Sequence, residues 1–102
     1  MVEVMEESVA INNHLAYRDV VIGNRLGLHA RAAVALVKVA QQYDSDVFME
    51  KNGESADAKS VLSLISLECP LGTKVTIRAL GLDSESAVEA VVRLVHNKFG
   101  EE

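Results

Sequence analysis

Only one cysteine, Cys69, occurs in the 102 residues, so no internal disulfide can form. That favours a reducing, cytoplasmic setting. Tryptophan is absent, and two tyrosines and two phenylalanines are the only aromatics, so aliphatic side chains must build the core. No apolar run approaches the roughly 20 residues that a membrane helix needs. No lysine or arginine precedes Arg18, whereas Glu3, Glu6 and Glu7 do. That is the wrong charge for a signal or transit peptide. There is no C-x-x-C pair, and the three histidines lack ligand spacing, so neither a metal nor a cofactor is expected. The phosphate-cradling G-x-x-x-x-G-K-[ST] pattern and the nucleophile elbow of hydrolases are missing too.

A basic excess is also lacking. Net charge is −5, and the acids gather at the two ends. Glu3, Glu6 and Glu7 lie in residues 1–15, and Glu101 and Glu102 close the chain. Removing these five from the 15 acids leaves ten, against ten bases, so residues 16–100 are neutral. A nucleic-acid binder should be basic, which argues against that class. Residues 1–15 therefore read as a flexible acidic extension, with His14 a solvated linker residue, and residues 16–102 as one domain.

What is present is a regular alternation of strand and helix signals. β-branched Val20, Val21 and Ile22 mark a strand over 17–22. The loop 23–27 contains Gly23 and Gly27. Ala33, Leu36, Val37 and Ala40 form one apolar stripe, which predicts a helix from Ala30 to about Gln42. A strand follows over 47–51. Asn52-Gly53 predicts a tight hairpin turn into a short edge strand, 54–58. Ser60 is placed to cap a short helix over 61–67, with Leu62 off its Val61/Leu64/Ile65 stripe. Residues 73–80 alternate cleanly, Val75, Ile77 and Ala79 against Lys74, Thr76 and Arg78. That is a strand with one solvated face. Asp83 or Ser84 should cap a last helix whose stripe runs Val88, Val91, Val92, Val95 and Phe99 until Gly100 stops it. His96 falls near its end as a surface residue. The order is β-α-β-β-α-β-α: an antiparallel sheet with helices on one face. Pattern alone does not separate this from a ferredoxin-like fold with an extra helix.

The chemistry-bearing stretch is Asn24-Arg25-Leu26-Gly27-Leu28-His29-Ala30-Arg31. It puts an imidazole at a strand-to-helix junction between two arginines. Free backbone N–H groups, the helix dipole and cationic side chains together make an anion site. A nucleophilic ring there points to phosphoryl chemistry rather than binding alone. The dipole and Arg31 also disfavour a positive charge on the ring, which keeps it neutral and nucleophilic.

Asn24-x-Leu26-Gly27-Leu28-His29-Ala30-Arg31-x-Ala33 closely resembles the active-site motif of the HPr family, the histidine-containing phosphocarriers of the bacterial phosphotransferase system. Lys59-Ser60-Val61-Leu62-Ser63-Leu64 resembles that family's second signature. The resemblance implies an α+β open-faced β-sandwich, a four-stranded antiparallel sheet with three helices on one face. It implies that His29 accepts a phosphoryl group on Nδ1, with Arg31 stabilising it, from phosphoenolpyruvate by way of enzyme I. An EIIA-type protein would be the acceptor, in sugar transport or in a regulatory branch. Ser60 matches the serine that an HPr kinase/phosphorylase modifies. The expected docking patch is Leu28, Leu62, Ile65 and Leu67, ringed by Arg25, Arg31 and Lys59. A monomer is expected, since a carrier must release each partner quickly. The competing reading is an HPr-like regulatory protein switched at Ser60; a small-molecule sensor has no ligand motif behind it.

Three departures from the family pattern stand out. Ala32 replaces the usual proline after the arginine. Glu68-Cys69-Pro70-Leu71 replaces a more glycine-rich connection. Residues 1–15 extend beyond typical members. Cys69 is expected to be inert.

Overall fold

Alternation in the 73–80 stretch builds a central strand, and the rest of the sheet forms around it. In the computed structural model, which describes residues 14–101, the elements are β1 (Leu15–Val21), α1 (Ala30–Ala40), β2 (Asp46–Lys51), β3 (Glu54–Asp57), α2 (Val61–Ser66), β4 (Lys74–Leu80) and α3 (Ser84–His96). A short 3-10 turn, Lys98–Gly100, closes the described chain. Strand order is β1-β4-β2-β3, antiparallel throughout. The structure is the four-stranded, three-helix open sandwich that the family resemblance implies. Most of the acidic extension lies outside the described residues; Leu15, counted with it, already pairs with Leu80 in β1.

Val75, Ile77 and Ala79 of β4 are buried, with Val20 of β1 and Val47 and Met49 of β2 on the same side. Over them lie Ala32, Ala33, Leu36, Val37 and Ala40 of α1, and Val88, Val91, Val92 and Val95 of α3. The expected stripe of α1 and the Val88, Val91, Val92 and Val95 part of that of α3 are thus the core, whereas of the α2 stripe Leu64 is buried, Val61 packs partly against the core and Ile65 is exposed. Each fully buried Val, Leu or Ile contributes about 1.5–3 kcal/mol. The opposite face carries polar pairs: Thr76 Oγ1 donates to Asp19 at 2.6 Å, and Arg78 Nε to Glu50 at 3.1 Å.

Turn chemistry follows local sequence. Asn52 (φ 49°) and Gly53 (φ 84°) both take the left-handed conformation that a two-residue hairpin needs. Asp83 does stand at the N-cap of α3, but its carboxylate makes no cap bond. It accepts instead from the backbone N–H of Asp44 (2.9 Å) and Ser45 (3.0 Å) and from the Ser45 hydroxyl. Gly81 (φ 149°) allows this closeness, since a Cβ there would lie 2.8 Å from Ser45 Cα.

One element departs from its periodicity. α3 stops at His96, and Phe99 is not on its stripe. Lys98 (φ 57°) and Phe99 (φ 56°) turn left-handed, fold the chain back and still bury the Phe99 ring. Each left-handed residue costs roughly 1–2 kcal/mol, and burial of the ring opposes that cost.

Candidate functional site

The loop between β1 and α1 is held by its own residues. Asn24 is fully buried, and its Nδ2 donates to the Gly27 carbonyl at 2.7 Å. Gly27 N–H donates back to the Asn24 carbonyl at 3.1 Å. Gly27 (φ 68°) admits no side chain, because a Cβ would lie 2.7 Å from the Cys69 carbonyl and 2.8 Å from Pro70 Cα. Leu28 N–H donates to that same Cys69 carbonyl at 2.8 Å, which locks the loop to the segment after α2.

His29 is the N-cap of α1, with extended backbone (φ −84°, ψ −178°). The cap acceptor is the imidazole itself: Nδ1 accepts from the Arg31 N–H at 3.3 Å. A lone pair on Nδ1 therefore points at the open N-terminus of the helix, where the dipole favours negative charge. The other ring nitrogen, Nε2, makes a short contact to Oε2 of Glu101. Oε1 of the same carboxylate accepts from Asn24 Nδ2 at 2.9 Å. These bonds, first that of Asn24 and then that of His29, hold the Glu101 carboxyl below the usual glutamate range, against the opposing effect of desolvation. The surroundings of His29 are thus not purely cationic, as motif and dipole had implied. An open cleft of about 480 Å³ adjoins the site, lined by Arg25, Leu26, Arg31, Phe99, Gly100 and Glu101. Both arginines of the motif line one recess able to receive an anion.

Glu101 is the functional candidate that sequence reasoning missed. It reads as one of two terminal charges, 72 residues from His29, and only the left-handed turn at Lys98 and Phe99 brings it back.

The second signature is less open than expected. Ser60 caps α2, its Oγ accepting from Ser63 N–H at 3.2 Å. Lys59 Nζ donates to the Tyr43 carbonyl at 2.9 Å, so its ammonium ties α2 to the end of α1. Leu62 is 78% exposed and Ile65 37%, as a docking surface requires. Leu28 (6%) and Leu67 (4%) are core instead, and a side chain packed inside offers a partner no area. Leu26 and Leu71 are exposed apolar side chains on neighbouring loops. Cys69 is buried, and burial pushes its thiol up, with Lys51 partly opposing. Ala32 is buried in the first turn of α1, where its methyl joins the core. Among the described residues no cluster of His, Cys, Asp or Glu could hold a metal ion, and no helix is long and apolar enough to cross a membrane.

The phosphocarrier protein HPr of Cupriavidus necator is 42% identical over 84 residues, covering 82% of this chain and 94% of its own. The phosphocarrier protein NPr of Shewanella violacea is 40% identical over 84 residues, 82% of this chain and 92% of its own. A crystal structure of HPr from Thermoanaerobacter tengcongensis superposes with a TM-score of 0.82 at 38% identity, covering 85% of this chain and 98% of that one. The family model described as the PTS HPr component phosphorylation site matches residues 16–97, the span that contains the capped histidine, its two arginines and the second signature. The chain therefore belongs to the HPr family of phosphotransferase-system phosphocarriers.

Proposed function

We propose that this protein carries a phosphoryl group on Nδ1 of His29, received from phospho-enzyme I and delivered to an EIIA-type acceptor. One observation supports the reading above others: Nδ1 holds its lone pair at the mouth of α1, 3.3 Å from the Arg31 N–H. When Nδ1 attacks, its lone pair forms the new N–P bond, and the bond to the donor nitrogen breaks with its pair returning to the donor ring. The backbone N–H groups of the first turn, freed of the cap, then face phosphate oxygens, and Arg31 and Arg25 offset their charge. The ring's single N–H proton stays on Nε2, so the phosphorylated ring is a cation and a good leaving group for the next transfer. Leu62 and Ile65, with Leu26 and Leu71, form the apolar docking surface beside it. Such a small patch favours quick release.

The decisive experiment mixes the protein with enzyme I and phosphoenolpyruvate and weighs it intact. One acid-labile phosphate is expected on the wild type and none on His29→Ala. Absence of the label, or its persistence in His29→Ala, overturns the carrier reading. The chain is proposed to act as a monomer in the cytoplasm, which light scattering at micromolar concentration checks. A second reading, regulation at Ser60 by a dedicated kinase, draws on the position of that serine beside exposed Leu62.

A further inference from the structure

We propose that Glu101 is a positioning residue that selects the nucleophilic nitrogen of His29, through a chain of hydrogen bonds whose polarity is set by the buried Asn24. The inference rests on the carrier reading only for its consequence, since the tautomer itself exists in the free protein.

The polarity is fixed link by link. The Gly27 carbonyl can only accept, so the Asn24 side chain must present Nδ2 to it at 2.7 Å. The same Nδ2 then donates its second hydrogen to Glu101 Oε1 at 2.9 Å. Flipping the amide would aim Oδ1 at a carbonyl oxygen, a loss that nothing buried there offsets. Glu101 is thereby oriented with Oε2 on His29 Nε2, and an ionised carboxylate can only accept. Nε2 must carry the ring proton. Nδ1 must then be the unprotonated nitrogen, which agrees with its acceptance from the Arg31 N–H. Glu101, oriented by Asn24, and the Arg31 N–H impose the same tautomer from opposite sides of the ring. Once Nδ1 is phosphorylated, the Nε2 proton remains on the ring and the carboxylate faces a cation, so the contact strengthens in the charged intermediate.

The geometry makes a counterintuitive prediction about Glu101→Gln. Asn24 cannot flip, so it would hold the new carbonyl oxygen, and the new NH2 would face Nε2. That amide donates, which forces the ring proton onto Nδ1 and removes the attacking lone pair. In serine-hydrolase triads the same exchange of carboxylate for amide also imposes the wrong tautomer. The nearly isosteric Gln variant should therefore be worse than Glu101→Ala, which merely releases the ring.

The test reads the tautomer by 15N NMR of the histidine ring above pH 8, and the initial rate of phosphorylation by phosphoramidate, a small phosphoryl donor that needs no partner protein. The wild type should show Nε2–H, Glu101→Ala a mixture, and Glu101→Gln mainly Nδ1–H. Phosphorylation should slow by about tenfold or more in Glu101→Gln, the scale of one charge-assisted hydrogen bond, and by less in Glu101→Ala. Equal melting curves for the three proteins would exclude a packing effect. An Nδ1–H ring in the wild type, an unchanged tautomer in Glu101→Gln, or a Gln variant as fast as the Ala variant overturns the proposal. Failure of the wild type to take phosphate from enzyme I would defeat the carrier reading instead, and would leave the tautomer result standing.

Discussion

Glu68 shows at the residue scale what the family departure means physically. It follows the α2 C-cap Leu67 with φ 59°, the left-handed position that commonly ends a helix. Its N–H donates to the Ile65 carbonyl at 3.1 Å, and its own carbonyl accepts from Lys51 Nζ at 2.6 Å. Both bonds use backbone, so the glutamate side chain is not required for either. Glu68→Gly should stabilise the fold by up to about 1 kcal/mol, the left-handed penalty less glycine's extra freedom when unfolded. Thermal melting checks it; a lower midpoint would show that the side chain has a role of its own. The more glycine-rich connection typical of the family thus has a backbone reason. Gly27 is the stricter case. Cys69 and Pro70 fill the space where a Cβ would go, so that glycine is required by contact as well as by φ.

At the scale of elements, the helix ends carry both stability and chemistry. α1 begins at a histidine whose Nδ1 lone pair makes the cap interaction, so the phosphorylation proposed there would replace the cap bond to Arg31 N–H. α2 begins at Ser60, whose hydroxyl accepts from Ser63 N–H. A carboxylate there can still cap, while placing negative charge beside exposed Leu62. Ser60→Asp should therefore keep the melting temperature and slow phosphorylation of His29 by enzyme I, because an acidic docking site would be repelled. Unchanged transfer kinetics would remove Ser60 as a switch. At the start of α3, Asp83 clamps the 44–45 loop. Its carboxyl is held below the usual range, first by the Ser45 hydroxyl and then by the Asp44 N–H, with desolvation opposing. A lowered folded value means that the clamp is fully present above the unfolded value of about 3.9 and is lost as pH falls through the folded one. Asp83→Asn should flatten the acid side of the stability curve below about pH 4, measured by urea unfolding at stepped pH. An unchanged slope would mean the clamp is dispensable.

For the molecule as a whole, stability sits between the sheet and its helices, away from the reactive loop. Ile77, 1% exposed in the central strand β4, lies in that layer. Ile77→Ala should cost about 2–5 kcal/mol, read as a shifted denaturation midpoint, with phosphorylation of the folded fraction unchanged. A loss under 1 kcal/mol would place the stabilising core elsewhere. Most of this architecture was legible beforehand, because period-2 alternation in 73–80 and the Ala33-Leu36-Val37-Ala40 stripe are local signals of burial. His29 and Arg31 were legible too, through spacing and a family motif. Leu28 and Leu67 read as surface because leucine beside a reactive motif resembles a docking contact, whereas both are packed inside. Phe99 kept helical spacing, yet two left-handed residues moved it off the helix. Local periodicity by itself determined the elements, the core stripes and the histidine at the start of a helix, since each depends on neighbours within a few residues. Tertiary structure alone decided that Glu101 meets His29 and Asn24, because that contact spans 72 residues and depends on how a buried phenyl ring turns the chain end back across the site.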